Sequence, residues 1–257
     1  MPDQNEPGQN RANRNASCAI VGAGDFIGSA IARKFAAEGY TVFAGRRSTE
    51  KLEKLKSEIE AAGGKCIACG LDARKEEDVT AFLQEADAYA PLEVVISNPG
   101  ANVNFPLLDT SERVFFKVWE MACKAGFLTG REAARLMLAR GKGSIFFTGA
   151  TASLRGGVGY AAFASAKGGL RLLAQAMARE LGPQNIHVAH LIIDAGVDTD
   201  FVRDRIKAAR GEAAVASLAP DTLMDPESIA DAYWYLHQQK RDAWTFEMDL
   251  RPYKETW

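Results

Sequence analysis

The chain has 257 residues, 47% hydrophobic and 25% charged, with 31 basic against 33 acidic side chains and a formal net charge of -2. That length allows a sizeable buried core, and the balance lacks the basic excess of a protein held on nucleic acid by phosphate contacts. No stretch approaches the ~20 uninterrupted apolar residues of a membrane-spanning helix, so a small molecule is the expected partner, with no nucleic acid and no membrane.

Met1 to Ser17 is rich in Asn, Gln, Pro, Asp and Arg and lacks the apolar core of a secretory signal. It reads as a disordered, solvated tail over residues 1–16, and the expected location is the cytoplasm. From residue 17 to residue 257 short apolar runs alternate with longer amphipathic stretches. Cys18 to Gly22 predicts a first strand, followed by a helix with Ile27, Ile31 and Phe35 at four-residue spacing. Thr41 to Gly45 predicts a second strand, and Lys51 to Ala62 a charged helix ended by Gly63-Gly64. Strand Lys65 to Leu71, a helix from Glu76 to about Ala88 and strand Leu92 to Ser97 follow. Asp109, with Glu112 three residues on, has the spacing of a capping-box-like start for a long helix running to about Arg140. Strand Ser144 to Thr148 leads through a Gly-rich loop to a helix from Tyr160 to Leu181, with Leu170, Leu173, Met177 and Leu181 on one face. Ile186 to Ile193 is the sixth strand, Asp225-Pro226 starts a last helix, and Ala243 to Leu250 supplies a final strand. This alternation calls for a single α/β domain, a parallel sheet with helices on both faces.

Cysteine chemistry adds little. Cys66 and Cys69 form a lone CxxC, but in a strand residues three apart face opposite sides, and neither a second ligand pair nor a helix start accompanies them. Strand packing is the reading, and no metal site is expected. His187 and His190 lie on opposite faces of the sixth strand, and His237 is expected on the polar side of the last helix.

The turn after the first strand reads Val21-Gly22-Ala23-Gly24-Asp25-Phe26-Ile27-Gly28. Glycines there let the backbone approach a pyrophosphate, whose charge a helix N-terminus favours. Gly70-Leu71-Asp72 closes the third strand, Ser97-Asn98-Pro99-Gly100 the fourth, and a helix carrying Lys167 follows the fifth. Together these resemble the short-chain dehydrogenase/reductase family, from residue 17 onward, which implies a doubly wound Rossmann-type sheet. The resemblance implies that Gly22, Gly24, Ile27 and Gly28 form the phosphate turn, that Asp72 meets the adenine, and that Asn98 and Gly100 flank the adenosine ribose. Lys167 would hold the nicotinamide ribose, and Val197 and Thr199 would meet the nicotinamide carboxamide. The family's glycine turn is TGxxxGxG; here Phe26 occupies the middle glycine and Val21 the Thr. An acid at the end of the second strand would receive the ribose hydroxyl of NAD, whereas a 2′-phosphate needs a cation. Ala44-Gly45-Arg46-Arg47-Ser48 holds no acid, and paired guanidiniums suit a phosphate. NADP is therefore expected, with NAD possible, although Asp25 works against the phosphate and both arginines can equally begin a solvated helix.

Members of the family usually reduce a carbonyl or oxidise an alcohol with a Tyr, a Lys four residues later, a Ser about thirteen residues before the Tyr, and an Asn on the long helix. Lys167 is present, but Phe163 holds the Tyr position, Ala150 the Ser position and Cys123 the Asn position. Candidate replacements are Tyr160, one turn before Phe163; Thr148 and Thr151, flanking Ala150; and Asp194, at the carboxyl end of the sixth strand where ligands bind in open sheets. Each has a plainer alternative: packing for Tyr160, loop hydrogen bonding for the threonines, a turn for Asp194. Phe201 to Arg210, with Arg203, Arg205, Lys207 and Arg210, corresponds to the family's mobile lid, and its charge suits an anionic substrate or simple solvation. The resemblance implies an NADP-dependent oxidoreductase with an atypical proton donor. A dinucleotide-binding protein without turnover, or a lyase or isomerase on the same scaffold, are the alternatives. It also implies a homodimer or homotetramer formed through the two long helices.

Overall fold

Seven short runs, most of them continuously apolar, pair side by side in parallel, and the computed structural model describes them within residues 14–100 and 102–255. They are β1 (Ser17–Val21), β2 (Thr41–Arg46), β3 (Lys65–Gly70), β4 (Leu92–Ser97), β5 (Gly143–Thr148), β6 (Ile186–Ile193) and β7 (Glu247–Leu250). Their order is β3-β2-β1-β4-β5-β6-β7, every pair parallel. The chain thus forms the doubly wound α/β sheet that its alternation predicts. Strand order reverses between β1 and β4, and a crevice opens there at the carboxyl ends of the strands.

Because side chains alternate across a strand, each face of the sheet has its own core. Cys18 and Ile20 point to one side, toward α1 (Ile27–Ala37), α2 (Glu53–Ala61) and, near the chain's end, α9 (Pro226–His237). Ala19 and Val21 point to the other, toward α3 (Glu76–Tyr89), α5 (Ala125–Leu138) and α6 (Ala161–Leu181). Cys66 packs in the first core and Cys69 against the second, as strand geometry requires.

Several boundaries differ from expectation. The long helix is three pieces: α4 (Glu112–Trp119), a π-helical segment Glu120–Lys124, and α5. Its cap is Ser111, whose hydroxyl accepts from the Val114 N–H at 3.3 Å; Asp109 instead ends a 3₁₀ turn, Leu107–Asp109. Gly126 and Gly130 let α5 press on α6, since a Cβ there would lie 2.3 Å from Leu170 Cδ1 and 2.7 Å from Met177 Cε. β7 is only four residues long, and ahead of it Trp244 stacks on His187 with centroids 4.9 Å apart. His237 is not on a polar face. Its ring lies between the Tyr40 hydroxyl, 2.7 Å from Nε2, and the Ser144 hydroxyl, 3.0 Å from Nδ1. The tail prediction also needs trimming at its inner end. Arg14 donates to the Glu38 carbonyl at 2.9 Å and lies over the Tyr40 and Trp234 rings, and Ala16 is buried; residues 1–13 lie outside the described residues.

Candidate active site

The crevice is built first from backbone. Gly22 has φ of +89°, and a Cβ on it would lie 3.0 Å from the Pro99 nitrogen, so only glycine lets the ends of β1 and β4 approach this closely. Asn98 Nδ2 ties the two ends together by donating to the Gly22 carbonyl at 2.9 Å. A Cβ on Gly28 would lie 2.7 Å from the Gly22 carbonyl oxygen, so this glycine seats α1 on the turn. Gly24 and Gly100 differ: a Cβ on either would meet nothing within 4 Å. Both line the cleft, where the bare backbone leaves space that a side chain would fill. Phe26 stands at the start of α1 without a capping hydrogen bond, and both it and Ile27 line the cleft.

Two adjoining hollows share Gly24, Asn98 and Gly100. The first, about 520 Å³, is lined by Gly22, Arg46, Arg47, Ser48, Lys51, Asp72 and Met121, among others. Arg46 is not open: its guanidinium pairs with Asp25 at 2.5 Å. Arg47 is exposed. Asp72 sits where the sequence placed it, but both carboxylate oxygens are taken by the Arg74 side chain, at 2.8 and 2.6 Å. That bidentate hydrogen bond holds the Asp72 carboxyl down at about 2. The carboxylate that the family resemblance sets near an adenine thus carries an arginine partner at the rim.

The second hollow, about 660 Å³, runs from Gly24 past Asn98 to the loops after β5 and β6. Lys167 lies in its wall, buried, with Nζ donating to the Thr148 carbonyl at 2.7 Å and to the Pro99 carbonyl at 3.4 Å. Burial lowers its ammonium to about 8. The Phe163 ring centroid is 6.0 Å from that nitrogen. The Thr148 hydroxyl is engaged by Asn98 Oδ1 at 2.9 Å and by the buried Tyr233 hydroxyl at 2.7 Å. Thr151 begins the short turn Thr151–Ser153 and lines the cleft. Beneath that turn Ser153 Oγ accepts from the Ala150 N–H at 3.1 Å, and His190 packs below it, 3.5 Å from Ser153 and 3.3 Å from Glu247. Tyr160 caps α6, and its phenol oxygen accepts from Arg205 Nη2 at 2.8 Å. Arg205 belongs to α7 (Asp200–Arg210), the predicted lid. Thr199 caps α7, its Oγ1 accepting from the Val202 N–H at 3.1 Å, and Val197 bridges to Met224; both also line the cleft.

A family model described as short chain dehydrogenase matches residues 17–210. The chain belongs to this family. It is 62% identical to the crystal structure of a short-chain dehydrogenase from Rhodopseudomonas palustris, with a TM-score of 0.80, covering 93% of this chain and 100% of that one. An alcohol dehydrogenase from Thermococcus sibiricus, solved with 5-hydroxy-NADP, is 26% identical with a TM-score of 0.79, covering 94% and 98%. An uncharacterised oxidoreductase of Bacillus subtilis is 31% identical over 248 residues, 88% of this chain. The match takes up 35% of that relative, so this chain spans about a third of its length.

Within this short-chain dehydrogenase the vacancies are physical. Phe163 and Ala150 both line the cleft and offer no proton. Cys123 is buried in the π-helical segment against Gly169, and burial pushes its thiol up. Lys167, facing two carbonyls, has no phenol to act on. Asp194, a candidate acid from the sequence, must be corrected. It is fully buried and its carboxylate is held by Arg155 at 3.1 Å and Arg251 at 3.0 Å, which makes it a structural partner of two guanidiniums. Thr148 is likewise committed to Asn98 and Tyr233. The sequence reading missed Arg155, Asn102 and Arg74. A lone cation just ahead of Gly156-Gly157 in a loop facing the cleft was the available signal for Arg155.

Proposed function

We propose that this chain binds NADP(H) along the two joined hollows and interconverts a carbonyl and an alcohol, with Tyr160 as proton donor. What carries the reading is the backbone cradle: Gly24 and Gly100 open onto the cleft with nothing within 4 Å, beside a turn that Gly22 and Gly28 draw tight. When bound there, the nicotinamide supplies or accepts the hydride. Lys167, with the strand-end carbonyls, fixes the ribose side of the cleft, and Val197 and Thr199 wall the opposite side. Tyr160 is the phenol nearest the vacancy at Phe163, the two ring centroids being 6.4 Å apart. The Arg205 guanidinium, 2.8 Å from its oxygen, stabilises the negative charge left there when the proton departs to the substrate oxygen. Thr151 adds a second hydroxyl beside Ala150.

Arg47, with Arg46 released from Asp25, would receive a 2′-phosphate, so NADPH is preferred to NADH. Titration of nicotinamide fluorescence checks this: NADPH binds more tightly, and Arg46→Ala and Arg47→Ala each weaken NADPH more than NADH. Equal affinities for the two cofactors in the unaltered protein would end the NADP assignment.

One observation favours a second reading, a dinucleotide-binding protein without turnover: Lys167 Nζ donates to two backbone carbonyls and lies over the Phe163 ring rather than beside a phenol. NADPH binding without consumption in every variant would select it. In either case we expect a homodimer or homotetramer through α4, α5 and α6, whose outer faces carry Phe116, Phe127 and Leu172 at 54%, 42% and 64% exposure.

A further inference from the structure

The cations around the cleft are not equivalent. On the lid, Arg203 is bound by Asp198 at 2.5 and 2.7 Å, and Lys207 by Glu212 at 2.8 Å. Arg205 has no carboxylate partner among the described residues; it lies over the Phe201 ring, 5.7 Å from the centroid, and donates one N–H to Tyr160. Arg205 thus reaches the cleft through Tyr160, whereas Arg155 lines the wall itself with 42% of its side chain exposed. Its two Nη atoms reach Asp194 at 3.3 and 3.1 Å, so the guanidinium is held in one orientation. Arg251 shares the same carboxylate at 3.0 Å and also pairs with Asp249, so Arg155 keeps its place in a closed ion-pair cluster while three of its N–H donors point elsewhere. A guanidinium has five N–H donors in a planar fork, so most of Arg155 and Arg205 remains available. Among the described residues, the one carboxylate side chain in the cleft wall, Asp25, is at the far end and is paired with Arg46. Lys167 adds a third cation.

An arginine in the cleft wall, oriented from behind by a buried carboxylate, and a second arginine without an anion hydrogen-bonded to Tyr160 of the same wall, offer the N–H donors that planar carboxylates fit. The same hollow must also admit the nicotinamide end of the cofactor, which leaves room for a compact substrate only. We propose that the substrate is a small oxo acid, its carboxylate gripped between Arg155 and Arg205 while its ketone oxygen meets the Tyr160 hydroxyl. This rests on the redox reading above and names its substrate class. Hydride goes to the ketone carbon, the Tyr160 proton goes to the ketone oxygen, and the carboxylate takes no part in the bond changes.

The test uses the full chain loaded with NADP+, so that binding is read without turnover. Calorimetric titrations compare short 2-oxo and 3-oxo acids with their methyl esters. At least one acid binds tenfold or more tightly than its ester. Arg155→Gln and Arg205→Gln each bring that ratio to within about twofold of unity, while NADP+ affinity is retained. Arg205→Gln lies on an exposed helix, so it decides the matter even where Arg155→Gln, by uncovering buried Asp194, fails to fold. Esters that bind as well as acids, or no acid binding at millimolar concentration to a protein that does bind NADP+, would overturn the substrate class. Failure to bind NADP+ at all would instead overturn the function on which it rests.

Discussion

The two halves of the crevice are made of different materials. Around Gly22, Gly24, Gly28, Asn98 and Gly100 the site is mostly backbone, shaped by glycine conformations and by the meeting of β1 and β4. Around Phe163, Ala150 and Cys123 the family's site would be side chains, and those side chains are changed. Backbone architecture persists because the sheet depends on it: a methyl on Gly28 would run into the Gly22 carbonyl, whatever the cleft binds. A lost hydroxyl at Phe163 costs the fold nothing, since a phenyl ring packs beside Ala166 and Val118 in the small core under the loop. Family membership therefore constrains the cofactor end of this chain far more than the chemistry at the other end.

The comparison breaks most sharply at Tyr160. Tyr160→Phe is expected to lower turnover on the protein's own substrate by ~10²–10⁴, the usual cost of a lost general acid, with NADPH affinity unchanged because the cofactor end is untouched. Unchanged turnover would return the proton to another group. A second prediction concerns what supports the altered end. Burial pushes His190, under the Ser153 turn, down to about 4 and His237, at the opposite end of the sheet, also to about 4. Unfolded, both would titrate near 6.5, so the unfolded chain binds more protons between those values. Stability is thus full above pH ~6.5 and falls as pH drops toward 4, with a slope of about 1.4 kcal/mol per pH unit for each histidine fully in that window. Urea melts across this range check it, and His190→Gln should flatten the slope; a flat profile in the unaltered protein would refute the neutral buried histidines. The smallest effect is expected from rebuilding the family pattern. Phe163→Tyr with Ala150→Ser should change turnover of the natural substrate only a few-fold, because the site is arranged around Tyr160. A gain of a hundredfold in NADPH consumption would mean that the chain had simply lost its acid.

What the sequence made legible follows the same division. Continuous apolar runs and glycine turns gave the first six strands to within a residue, the helix start at Asp225-Pro226 and the crevice, because those signals are local. The misread residues depend on distant partners. His237 is fixed by Tyr40, 197 positions away, and Asp194 by Arg155, 39 positions away, so neither burial nor partners could be read from neighbours. Asp72 has a partner that could not be read for a different reason. Arg74 is only two residues on, but whether it curls back onto the carboxylate is set by the turn between them, where the Arg74 N–H also donates to Asp72 at 3.1 Å. Cys123 shows a third case: its position in the helix was read correctly, while the π-helical widening that buries it left no periodicity to detect.

The central claim is that an intact dinucleotide cradle serves a relocated proton donor. A crystal structure of the protein with NADP+ tests it most directly. The pyrophosphate is expected against Gly24, the ribose against Lys167, and the Tyr160 hydroxyl as the nearest ionisable side-chain group facing the nicotinamide C4 across the space left for substrate. A nicotinamide lying outside the cleft, or one whose C4 faces a different acid with Tyr160 turned away, would contradict it.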